Sequence, residues 1–343
     1  MRNRKQSFYA GRSKVFLSIF ILMLLVLLFN DSTNLYGILT MIGIYSIVTL
    51  GLSLLMGYAG QISLGHAAFF GIGAYTSGIL TTTHGVNPFL SMICGVAITF
   101  VIALLVGIPA LKLQGFSLAL ATIGFNQIIY IVIISQSQLT GGASGFSGIP
   151  GLAVFGLNLS ENRYYFLLVW MIVLLIAYVS MNIIDSHVGR VLRGIHDSEI
   201  ATLTFGVNIS AFKVQIFVLS AVYASIAGSL YAHFINFIAP PTFSVVASIQ
   251  FLVMIAVGGS QSIWGAIIGT AAMTFIGEGV RTIVPLLMEG GGQVEVVVYG
   301  VVLVLVMMFM PKGLIPSLKN VWDRSGFSRR SAMLAKGEER RSG

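Results

Sequence analysis

Apolar residues run through this chain in long unbroken blocks, without the three-and-four spacing of a helix that has one wet face. Blocks of about 20 residues are the length an α-helix needs to cross the hydrocarbon of a bilayer. The pattern predicts a first crossing over about 13–30 and a second over about 35–56. A glycine-rich stretch then merges into a third span that ends near Thr83, and His84 to Pro88 is a short connector. The fourth span covers about Phe89–Leu111, with Pro109 near its end, and the fifth about Phe116–Ile134. Residues 135–162 are dense in turn formers and nearly free of charge, and by parity they lie outside. A sixth span at about Arg163–Ile183 leads to a polar loop, Asp185–Lys213, and a seventh covers about Val214–Phe237. Ala239–Thr242 is an external turn.

The stretch 245–284 breaks the rhythm. Ile249–Val257 is too short to cross alone, Gly258-Gly259-Ser260-Gln261-Ser262 interrupts it, and Ile263–Ile283 resumes, so two broken or unequal crossings preserve the parity. An external loop at Glu289–Gly292 and a last helix at about Val294–Met310 complete the layout, and Pro311-Lys312-Gly313 stops it. The expected fold is an all-α integral membrane protein, a polytopic bundle of about 8–10 transmembrane helices with Gly-rich broken segments. Residues 1–14 form a basic arm, 15–311 the transmembrane domain and 312–343 a basic tail.

Composition agrees. Of 343 residues 56% are hydrophobic and 9% charged, against about 25% charged in a soluble domain. The net charge of +8 would suit nucleic acid if the basic residues formed a surface patch. They do not: of 19 Lys and Arg, five lie in the N-terminal arm, eight from Lys312 onward, three in 185–213 and one at Lys112. Only Arg163 and Arg281 fall on the other side, the asymmetry expected of a membrane protein with both termini in the cytoplasm. No nucleic-acid partner is expected; the basic tail suits anionic lipid. The N-terminal basic run and apolar block 15–29 open like a signal peptide, but no small-x-small cleavage site follows, which predicts an uncleaved first helix. Cys94 has no second cysteine to pair with.

The most unusual stretch is Gly57-Tyr-Ala-Gly-Gln-Ile-Ser-Leu-Gly-His-Ala-Ala-Phe-Phe-Gly-Ile-Gly-Ala-Tyr75. Non-helical backbone in a bilayer is tolerated where protein or a water-filled cavity satisfies it. Gly57 and Gly60 would let the helix open, Gly65 removes bulk, and Gln61, Ser63 and His66 supply polar side chains for a solute path; taken singly, each of these residues is read first as helix packing or a bond to a neighbour, His66 above all. A weak echo, Ser260-Gln-Ser-Ile-Trp-Gly265, interrupts the second half after Gly258 and Gly259. Paired interruptions point to a site between repeats. No His, Cys or carboxylate partner stands at metal-ligand spacing from His66, so no metal is expected. In the loop 185–213, Asp197 or Ser198 caps a short helix, Glu199 suits its positive end and Gly206 its C-terminus. Ile200, Leu203 and Phe205 on so short a helix call for a docking partner or a membrane surface. Glu278 and Arg281 read as a local surface ion pair, and Asn126 and Gln127 as hydrogen-bonding glue between helices.

These residues carry a resemblance. Gly57–Tyr75 resembles the signature of branched-chain amino acid ABC transporter permeases of the LivM type. The likeness continues through Leu118-Ala-Leu-Ala-Thr-Ile-Gly124, Gly145-Phe-Ser-Gly-Ile-Pro150, Gly189-Arg-Val-Leu-Arg-Gly-Ile195, Gly206-Val-Asn208, Trp264-Gly265 and Pro311-Lys-Gly-Leu314. It implies the permease half of an importer in a bacterial cytoplasmic (inner) membrane. Its implied partners are a second permease of LivH type, two cytoplasmic ATPase subunits and an external solute-binding protein. Arg190, Arg193, Glu199, Ala201 and Gly206 fall in the segment that couples to the ATPase. No Gly-x-x-x-x-Gly-Lys-Ser/Thr loop occurs here, so ATP is expected to be used by the partners, and this chain needs no cofactor. Two departures, Gly115-Phe-Ser-Leu and Gly-Gly-Ser-Gln-Ser262, leave urea, short amides or other amino acids open as substrates beside branched-chain ones. An ion-coupled secondary transporter is the alternative from another class; the lack of any Asp or Glu between Asp31 and Glu161 counts against it.

Overall fold

A computed structural model describes residues 33–154, 157–158 and 162–287, with single positions between 297 and 308. The predicted crossing at 13–30, the loop at 289–292, the basic arm and the tail lie outside the described residues, as does most of the predicted last helix.

The chain is helical almost throughout. Helix α1 (Thr33–Leu52) runs into a π-helical turn at Ser53–Tyr58. After a loop come α2 (His66–His84), α3 (Pro88–Ala110) and α4 (Phe116–Ser135). A short turn, α5 (Ser137–Thr140), opens the long loop that precedes α6 (Asn162–Asp185). Two short helices, α7 (His187–Asp197) and α8 (Glu199–Thr204), lead to α9 (Ile209–Ile235). A 3₁₀ turn at Pro240–Phe243 precedes α10 (Val245–Gly258) and α11 (Ile263–Leu287). Among the described residues six helices are long and apolar enough to cross a membrane, and α10 is too short. The boundaries fall where local chemistry puts them. Asn87 caps α3 by accepting from Phe89 N at 3.0 Å, with Pro88 in the first turn, where a missing N–H is harmless.

The layers follow from what each helix can tolerate outside. The most apolar 18-residue stretch of Asn34–Tyr58 is 78% buried and that of Pro88–Ala110 only 22%, so α1 lies inside and α3 outside. The outward faces of α3, α4 and α6 carry Ile93, Leu105, Ile128 and Leu175, an apolar exterior that suits lipid. Inside, α2 crosses α9 so closely that the two helices touch backbone to backbone. A Cβ on Gly73 would stand 2.2 Å from Ser225 O, and one on Gly228 1.9 Å from Phe70 O. Ser229 Oγ crosses the same seam to donate to Gly73 O at 3.1 Å. Lipid tails are as apolar as Leu, so contacts of this kind hold membrane helices together.

The loop between α4 and α6 is bolted to the bundle. Its β1 (Phe146–Ser147) pairs antiparallel with the two-residue strand Phe237–Ile238 after α9. A second antiparallel pair, Ala153–Val154 with Leu157–Asn158, stands apart from it. Asn236 Nδ2 donates to Ile149 O at 2.8 Å, and His233 joins Pro150 O (2.8 Å) to Ser77 Oγ (2.8 Å).

Gly228→Val is expected to lower the stability of the detergent-solubilised protein by about 1–3 kcal/mol, as overpacking does. Gly124→Ala, where an added Cβ meets nothing within 4 Å, leaves it unchanged. Thermal unfolding of the two variants side by side checks this.

Candidate translocation path and coupling loop

The sequence merges the glycine-rich stretch from Gly57 into the third span, with Gly57 and Gly60 able to open the helix. In the structure the preceding helix extends to Tyr58, and the chain is non-helical until His66. Gly60 causes the stop: its φ of +68° lies in the left-handed region, which L side chains rarely adopt. Gln61 N still donates to Leu55 O at 3.1 Å, which folds the loop back under the π-helical turn.

The two interrupted segments meet. A Cβ on Gly57 would stand 1.9 Å from Ser260 O. Ser53 Oγ donates to the same oxygen at 2.7 Å, and Tyr58 Oη donates to Gln261 O at 2.8 Å. Gly258 and Gly259 precede these carbonyls at the α10–α11 break, and Gly258 abuts Gly265 across it. Gly65 packs on Thr122 of α4, whose Oγ1 accepts from Leu64 N at 3.0 Å.

The polar residues differ in their surroundings. His66 is fully buried; its Nδ1 lies 3.1 Å from Ser63 Oγ and its Nε2 2.6 Å from Ser220 Oγ of α9. Both ring nitrogens are thus engaged within the protein. Gln61 is buried as well, but neither its Oε1 nor its Nε2 has a hydrogen-bond partner among the described residues. Asn126 is buried with Nδ2 3.4 Å from Phe243 O, whereas Gln127 is exposed on the outer face of α4.

The loop 185–213 holds two helices where the sequence suggests one. Ser186 caps α7, accepting from Val188 N at 3.1 Å, and Ser198, not Asp197, caps α8, accepting from Ala201 N at 3.3 Å. Glu199 Oε1 lies 2.5 Å from Lys213 Nζ at the start of α9, and Glu199 Oε2 accepts from Gln114 Nε2 at 2.8 Å. Lys213 is only 4% exposed, so this pair is the bolt that fixes α8 to the bundle. Beyond it, Ile200, Leu203 and Phe205 stand in solvent, Phe205 at 84%. Ala201 and Gly206 are exposed beside them, and Gly206 (φ +74°) ends the helix as the C′ residue. Arg193 and Arg190 turn back instead, donating to Ile184 O (3.2 Å) and Asp185 O (3.5 Å) at the end of α6. His196 of α7 rests on Gly60, so the loop 185–213 and the helix break share one end of the bundle.

At the opposite end, near the start of α1 and the end of α9, α1, α9, α10 and α11 enclose a cavity of about 690 Å³. Glu278 and Arg281 line it, with Asn34, Gln250 and Thr242 and a base that includes Phe251 and Met254. A surface pair was expected at Glu278 and Arg281; no local pattern reveals that α1 and α10 wall them into a cavity.

The chain is thus a polytopic helical membrane protein with two broken helices in contact and a helix offered to solvent at one end. Residues 34–309 match the family described as the branched-chain amino acid transport system / permease component, and the chain belongs to that family. It is 27% identical over 328 residues to the high-affinity branched-chain amino acid transport system permease protein LivM of Salmonella typhimurium, covering 89% of this chain and 75% of that protein. LivM of Escherichia coli matches to the same extent. The ribose import permease protein RbsC of Haemophilus influenzae is 23% identical over 300 residues, covering 80% of this chain and 88% of that one. The relatives are permeases, which makes this an ABC-type permease chain.

Glu199→Gln should loosen α8. It keeps a partner for Gln114 but leaves the Lys213 ammonium buried and unpaired. Its cost lies between that of a surface pair and the roughly 3–5 kcal/mol of a fully buried one. Faster amide exchange confined to residues 198–206 is the expected signal; unchanged exchange there would show that the pair does not hold the helix.

Proposed function

We propose that this chain is one of two permease subunits of an ATP-driven importer of branched-chain amino acids. The observation that carries the reading is α8, a helix clamped by the Glu199–Lys213 pair yet presenting Ile200, Leu203 and Phe205 to solvent. Exposed apolar groups on a rigidly held helix form a docking face for a second protein. The partners are two ATPase subunits on the cytoplasmic side, where α7 and α8 lie, and a LivH-type permease in the membrane. A binding protein delivers solute at the cavity end. ATP-driven closure of the partners moves α7 and α8, and His196 on Gly60 passes that motion to the helix break. The chain makes and breaks no bond. The basic residues of the arm, of 185–213 and of the tail support cytoplasmic termini in the inner membrane.

The names of the LivM relatives support the substrate class; that of the ribose permease makes a sugar the competing one. Uptake into vesicles by the reconstituted complex, with leucine, urea and ribose supplied in turn, separates these. ATP-dependent leucine uptake is expected. Uptake by this chain alone, driven by an ion gradient, would overturn the reading in favour of a secondary transporter.

Glu199→Lys with Gly206→Val is expected to abolish uptake while the complex stays in the membrane. The first change sets two cations against each other, and the second forces a β-branched residue to positive φ. ATP-dependent uptake at the wild-type rate would remove α8 from the mechanism.

A further inference from the structure

Phe243 stands between the cavity and two buried polar groups that have no partner. It ends the 3₁₀ turn Pro240–Phe243 and is 1% exposed. Its chain neighbours Thr242 and Ser244 line the cavity, as do Phe70 and Tyr231, whereas Phe243 is not part of the lining. Its ring lies among three others, with centroids 5.6 Å from Phe70, 5.4 Å from Tyr75 and 6.4 Å from Tyr231. Gly71 makes the fit possible, since a Cβ there would stand 3.1 Å from Phe243 Cβ and Cγ. Because α10 is too short to cross, the turn before it stands within the span, against Asn126 in the middle of α4. Tyr75 of α2 and Asn126 are 4% and 0% exposed, and neither lines the cavity. Tyr75 Oη and Asn126 Oδ1 have no hydrogen-bond partner among the described residues. Asn126 Nδ2 reaches Phe243 O at 3.4 Å, beyond the usual N–H···O range. Buried polar groups are nearly always paired, so two exceptions beside one ring call for an explanation. Glue between helices accounts for Asn126 Nδ2 alone.

We infer that Phe243 is a plug at the floor of the cavity, and that Tyr75 and Asn126 form a buried polar station which a solute's N–H or O–H group reaches when the ring withdraws. The inference rests on the permease reading and adds to it a gate inside this one subunit, distinct from the break at Gly57–Gly65. A phenyl ring suits the task. It makes no hydrogen bond, so it leaves its place without stranding a donor or an acceptor. The aromatic cage holds it through ring contacts, and the adjoining cavity of about 690 Å³ has the space to receive it. With the ring withdrawn, Asn126 Oδ1 offers an acceptor and Tyr75 a hydroxyl that donates or accepts. Neither group carries a charge, so the station holds a solute weakly enough to release it, as a conducting path requires. Thr242 and Ser244 flank the plug in the turn that enters α10, so a shift of the α10–α11 pair moves the ring.

Access to the station is measured apart from uptake, in spheroplasts that carry the assembled complex. Cys94→Ser with Asn126→Cys leaves one thiol in this chain, at the station. A methanethiosulfonate reagent with a fixed positive charge is added from outside, and its rate of labelling is followed. With Phe243 in place labelling is expected to be slow. Phe243→Ala should raise the rate at least tenfold. Phe243→Leu, which keeps more of the packing and guards against a misfolded Ala variant, should raise it at least threefold. Gly37→Phe added to either should return the rate to its starting value, because Gly37 lines the cavity and a Cβ there meets nothing within 4 Å, so the new ring fills the space without a backbone clash. A rate unchanged within twofold in both Phe243 variants, or a raised rate that Gly37→Phe does not lower, overturns the plug. Either result leaves the permease reading standing, since that is decided by ATP-dependent uptake in the reconstituted complex.

Discussion

Helix backbones that touch with no side chain between them organise this bundle. In lipid there is no hydrophobic force to press helices together, so dispersion contacts and short interhelical hydrogen bonds do that work. The seam between α2 and α9 shows the dependence. Gly73 and Gly228 let the helices meet, and only at that separation do hydroxyls and imidazoles reach across. His66 to Ser220, Ser229 to Gly73 O and Ser77 to His233 all bridge α2 and α9. Larger side chains at the glycines would part the helices and strand these groups in an apolar interior, where an unsatisfied polar group costs about 1–3 kcal/mol.

The same device shapes the functional ends. Gly57 on Ser260 O brings the π-helical turn onto the α10–α11 break, and Gly60 turns the chain beneath His196. A buried hydrogen-bonded cluster, an interrupted backbone and a solvent-facing helix thus share one end of the bundle. The charged cavity lies at the other.

The sequence carries the elements well and their meetings poorly. Crossing lengths, the helix opening at Gly57 and Gly60, the short helix after Ser198 and the interruption at 258–262 are all local signals, and each stands within a few residues of its expected place. The echo between 60–65 and 260–265 was faint as a sequence match, yet the flanking Gly57 and Tyr58 touch Ser260 and Gln261. Periodicity is silent on distant partners. Nothing local says that Glu199 will meet Lys213 across two helix boundaries, or that the Glu278–Arg281 pair will line a cavity rather than a surface. Arg190 and Arg193 are a milder case. Cations after a helix suit its exposed carbonyls, and here they cap α6.

The α10–α11 hairpin spans both ends. Its break sits against Gly57, and its far portions wall the cavity. With 14 residues, α10 is about 21 Å long. A rigid tilt of about 5° about one end therefore carries the other through about 2 Å, the scale of a helix shift at an interface. The hairpin is geared to both places at once: it has no room to swing at Ser260 without changing the width of the cleft that holds Glu278.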